Sequence, residues 1–69
     1  MGDVRGKDVL RVAKKLGYSV RPPKKRKHYV ILDGPRIVTT VPKGRIKKGT
    51  LDSIIKDLGI TKQEFNRLL

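Results

Sequence analysis

At 69 residues the chain has room for one domain, expected over residues 1–69, and for a small core, since chains of this size bury only about 60% of their unfolded surface. Eighteen Lys and Arg against six acids give a net charge of +12, which points to a polyanionic partner. With no cysteine, disulfides, a thiolate nucleophile and cysteine-ligated zinc are excluded, and a single histidine cannot build a histidine-rich metal site.

No apolar run approaches the roughly 20 residues of a membrane span, so a cytoplasmic protein with no membrane partner is expected. In chain order, residues 6–16 place Val9, Leu10, Val12, Ala13 and Leu16 at helical spacing. Asp8 suits the first turn of such a helix, Lys14 and Lys15 suit the last, and Gly17 suits the exit. Residues 18–21 read as a strand that Pro22-Pro23 cuts short, because two backbone donors are missing there.

A second strand is expected over 29–32 and a third over 36–41, joined as an antiparallel hairpin by Asp33-Gly34-Pro35. Residues 42–49 hold two glycines and several cations without apolar periodicity and read as a mobile loop. Leu51, Ile54, Ile55 and Leu58 then share one face of a second helix over 50–58, which Gly59 ends. Thr61-Lys62-Gln63-Glu64 has the spacing of a capping box and opens a short last helix, held down by Phe65, Leu68 and Leu69. The expected fold is α+β, one three-stranded antiparallel sheet with its helices on one face.

Half of the cations fall in two stretches free of acids, one with Arg21, Lys24, Lys25, Arg26 and Lys27 and one with Lys43, Arg45, Lys47 and Lys48. A charge run can be no more than a solvated face, but clustering on this scale builds a field that attracts phosphates, and RNA is the first candidate. The first stretch leads directly into His28, the one side chain type here suited to proton transfer near neutrality. The plainer reading of a lone histidine at a strand end is that it has no task. Lys24, Lys25, Arg26, Lys27 and Tyr29 are the first RNA-binding candidates. Lys47, Lys48 and Thr50 could assist the backbone amides at the start of the second helix in holding another phosphate. The six acids are scattered, without the close carboxylate cluster of a two-metal nuclease, so no metal or other cofactor is expected.

Residues 46–60, with Lys47-Lys48-Gly49-Thr50-Leu51 opening the second helix, resemble the HicA family of toxins. Gly17-Tyr18, His28, Val41-Pro42 and the Thr61-to-Glu64 segment fall where that family has counterparts, so the resemblance covers nearly the whole chain. It implies a fold like a double-stranded-RNA-binding domain and a metal-independent ribonuclease acting on messenger RNA. It also implies a HicB-type antitoxin as protein partner, and His28 as the catalytic residue of the family's Gly-Ser-His signature. Arg26 and Lys27 stand where that signature has Gly and Ser, which favours a second reading, a non-catalytic RNA-binding module of the same fold. A third reading, a small basic subunit whose charge serves only assembly with an acidic partner, draws on size and charge alone.

Overall fold

A computed structural model describes residues 3–22 and 28–69. Helix α1 (Gly6–Lys15) turns Val9, Val12 and Ala13 fully inward, as their spacing predicts, with Leu10 and Leu16 packed at the margin of the core. Leu16 caps it and Gly17, at φ 93°, takes the left-handed conformation that redirects the chain. Tyr18 stays outside the first strand. Its side chain packs on the core and its hydroxyl donates to the Leu58 carbonyl at 3.1 Å, so the expected start of the strand moves one residue on.

Strand β1 (Ser19–Arg21) stops before Pro22, and β2 (His28–Asp33) and β3 (Arg36–Pro42) form the antiparallel hairpin read from Asp33-Gly34-Pro35. The sheet order is β1-β2-β3, all antiparallel. Both hairpin strands run longer than expected, because His28 pairs with Pro42 at one end and Asp33 with Arg36 at the other. The register shifts between Ile31 and Leu32, so that Ile31 pairs with Thr39 but Leu32 with Ile37. The bulge leaves Val38 as the extra residue, packed at the core's edge.

Helix α2 (Lys48–Leu58) buries Ile54, Ile55 and Leu58 and ends at Gly59, φ 76°. It begins two residues before the expected Thr50. The preceding segment differs from expectation for a related reason, since Ile46 is buried in the core and its N–H donates to the Val4 carbonyl at 3.0 Å. A single isoleucine among cations leaves no periodic signal, yet it pins the segment beneath the start of α2.

Helix α3 (Lys62–Leu68) opens with half of the expected capping box, the Glu64 N–H donating to the Thr61 hydroxyl oxygen at 3.1 Å while the Glu64 carboxylate lies 3.5 Å from that hydroxyl. Phe65 is fully buried and Leu68 is partly so, whereas Leu69, expected to help pack the helix down, is 43% exposed at the chain end. Lys15 donates from Nζ to the Leu68 carbonyl at 2.7 Å, fastening α3 to the end of α1. The architecture is therefore α+β, with α1 and α2 on one face of the sheet and α3 across the two helices.

Two glycines give a test of this packing with opposite signs. Gly6 is buried, and a Cβ added there would fall on the carbonyl oxygen of Pro42, a backbone atom with nowhere to swing. Gly6→Ala should destabilise by about 1–3 kcal/mol, more than the helix-propensity gain of alanine. Gly49, in the first turn of α2, has open space around it, so Gly49→Ala should stabilise by about 0.5–1 kcal/mol. A urea unfolding midpoint of Gly6→Ala that rose along with that of Gly49→Ala would show that α1 does not rest on the end of β3.

Candidate nucleic-acid interface

Backbone pairing gathers four chain segments at one end of the molecule. His28 opens β2 opposite Pro42 at the close of β3. The chain leaving Pro42 meets the start of α1, where the Gly6 N–H donates to the Gly44 carbonyl at 2.9 Å and Arg5 bridges to Arg45. Ile46 then bonds Val4 and delivers the chain to the start of α2. Both long helices thus present their N-termini, the positive ends of their dipoles, at the end that carries His28.

Side-chain alternation along β2 fixes which way each residue faces. Ile31 is fully buried and Tyr29 packs on the core, so both face the helices, and His28, Val30 and Leu32 face the open side of the sheet. The cross-strand neighbours of the open-face residues are Ser19 and Arg21 on β1 and Ile37, Thr40 and Pro42 on β3. Ile37 is 63% exposed there, beside Leu32. Among the described residues nothing covers this face of the sheet, and His28 is an exposed side chain at one of its corners.

Lys47, Lys48 and Thr50 stand together at the start of α2, all exposed. Among the described residues no side chain caps this helix, and its first turn holds no acid, unlike α1, where the Asp8 carboxylate accepts from the Arg5 N–H at 2.9 Å. The backbone donors of the first turn of α2 are left for solvent or an anion. Tyr29 is the immediate neighbour of His28 but lies on the other face of the sheet. Lys24, Lys25, Arg26 and Lys27 lie outside the described residues.

Arg5 and Lys7 join this end as well, although in sequence they look like ordinary solvated cations flanking the start of a helix. Only the docking of α1 against the end of β3 brings them beside Lys43, and no local pattern announces that long-range contact. Among the described residues, the acids nearby are already engaged. Asp3 pairs with Arg45 at 3.0 Å, and Asp8 caps α1. The field at this end is accordingly positive. Among the described residues no three His, Asp or Glu side chains gather as a metal site, and no helix is long and apolar enough to cross a membrane.

Residues 6–60 match the family described as "HicA toxin of bacterial toxin-antitoxin", a span that takes in α1, the whole sheet and α2. Among curated proteins, none matches the chain. The helix, three antiparallel strands and following helices agree with the double-stranded-RNA-binding-domain-like fold of that family. The chain belongs to the HicA toxin family, and with that it is a toxin of the nuclease kind, one half of a toxin–antitoxin system.

Proposed function

We propose that the protein cleaves messenger RNA without a metal ion, with His28 as general base, and that a HicB-type antitoxin in the same cytoplasm holds it in check. The observation that carries this reading is the exposed His28 on the open sheet face, at the end where two helix N-termini and the cations of α1, α2 and the β3–α2 connection converge. His28 takes the proton of a ribose 2′-OH as its oxygen attacks the adjacent phosphorus. The bond to the 5′-oxygen breaks, and that oxygen takes a proton from a lysine or water, Tyr29 being on the other face of the sheet. The phosphoryl oxygens gather charge in the transition state, and Lys25, Arg26 and Lys27, next to His28 in sequence, are the proposed donors. Lys24 adds to the local attraction, and Lys47, Lys48 and Thr50 with the first amides of α2 hold a further phosphate along the strand.

The antitoxin is proposed to shield His28 with acidic side chains, because a +12 surface favours rapid association with an acidic protein. Arg26-Lys27 favours one competing reading, an RNA-binding module that has kept the fold and lost the chemistry. An RNA interface at this end is tested by salt titration. Each phosphate neutralised on a single strand contributes about 0.7 to the slope of log affinity against log salt. Replacing Lys47 and Lys48 together by Ala should lower that slope by roughly 1.4. An unchanged slope would move the RNA to another surface.

A further inference from the structure

We propose that a pocket on the helix side of the sheet, lined by Arg5, Lys7, Tyr29, Lys43 and Gly44, binds the phosphate and ribose of an RNA nucleotide adjoining the one presented to His28. The proposal rests on the reading of this end as an RNA-cleaving site and extends the path of the RNA beyond it. The pocket has a volume of about 280 Å³, at the small end for organic ligands and suited to a sugar-phosphate unit. It exists because Gly6 lets α1 settle against the end of β3. Its N–H is bonded to Gly44, and the neighbours Arg5 and Lys7 are thereby held across from Lys43.

Among the described residues, three cations line the pocket and no acid does. Among the described residues, none of the three is in an ion pair, whereas Arg45 close by is spent on Asp3. The two tyrosines divide in the same way. Tyr18 gives its hydroxyl to the Leu58 carbonyl, and among the described residues nothing holds the Tyr29 hydroxyl. A wall of uncommitted cations beside an uncommitted hydroxyl is a receptor for phosphate and sugar oxygens.

His28 and Tyr29 are consecutive on β2 and point to opposite faces, so a phosphate at His28 cannot also occupy this pocket. A single strand that rounds the end of β2 can fill both, with successive nucleotides on the two sides of the sheet. An acidic protein segment would satisfy the charges but has no comparable reason to span both faces at this corner.

The test compares Arg5→Ala/Lys7→Ala/Lys43→Ala with a control triple variant at the opposite end of the molecule, Lys14→Ala/Lys56→Ala/Arg67→Ala. The Arg5 change spares the N–H that caps on Asp8, since that bond is made by the backbone. The pocket variant should lower the salt slope for single-stranded RNA by roughly 2, at about 0.7 per phosphate contact, and raise KM for cleavage with kcat held. The control should change neither. Tyr29→Phe should weaken binding several-fold without altering the slope, because it removes a hydroxyl and no charge. If the wild type does not cleave RNA but the pocket variant alone lowers the slope, the nuclease reading is lost and the pocket stands. If the wild type cleaves and the pocket variant keeps its slope and KM, the pocket proposal is overturned and the nuclease reading stands. Wild-type RNA binding with lost antitoxin association would also overturn it, giving the pocket to the protein partner.

Discussion

His28→Ala should lower RNA cleavage by about 10²- to 10⁴-fold, the usual contribution of a positioned general base. RNA affinity should stay close to that of the wild type, because the change removes proton transfer and leaves every lysine and arginine of the interface in place. The fold should be unaffected too. His28 is exposed at the strand end, where substitutions typically change stability by less than about 0.5 kcal/mol. Gel-based cleavage assays and fluorescence anisotropy on the same preparation separate the two quantities. Cleavage that survives the substitution would assign the chemistry to a lysine, and a parallel loss of affinity would make His28 a binding residue instead.

The largest effect on folding is expected from Phe65→Ala, at about 3–5 kcal/mol. Phe65 is the largest of the fully buried side chains, and it shares the core with Ile46 and Ile55, with Leu51 packed against them. A domain of this size has a total stability of roughly 3–10 kcal/mol, so the truncation removes much or all of it. Circular dichroism should show a variant that is largely unfolded at 37 °C, or one whose urea midpoint falls by a large fraction. The loss would extend to the candidate interface, because Ile46 belongs to the same core and α3 packs on α2. A midpoint within the scatter of the wild type would mean that α3 is an appendage and that α1, α2 and the sheet are stable without it.

The chain shows its core plainly and its interface only in part, for different physical reasons. Val9, Val12 and Ala13 in α1, and Ile54, Ile55 and Leu58 in α2, repeat at helical period, so burial is written into local spacing. Gly17 and Gly59 mark the helix exits because left-handed backbone is open to few other residues. Ile46 escapes notice because one buried residue has no period, and Leu69 misleads because α3 ends at Leu68 and helical spacing no longer directs the next side chain. At the interface, His28 is singled out by being the only histidine, and Lys47, Lys48 and Thr50 by their place at a helix start. Arg5, Lys7 and Lys43 become neighbours through the pairing of residues 4–6 with 44–46, a contact between segments nearly forty residues apart.

The proposed mechanism depends on one claim, that this basic corner performs a metal-free cleavage of RNA initiated at the 2′-OH. Incubation of the purified protein with a single-stranded RNA in EDTA, followed by identification of the product ends, tests it most directly. The account predicts cleavage undiminished by EDTA, 2′,3′-cyclic phosphate and 5′-hydroxyl ends, and no cut at a linkage whose ribose is replaced by deoxyribose. RNA that is bound but left whole, or cleavage that EDTA abolishes, would contradict it.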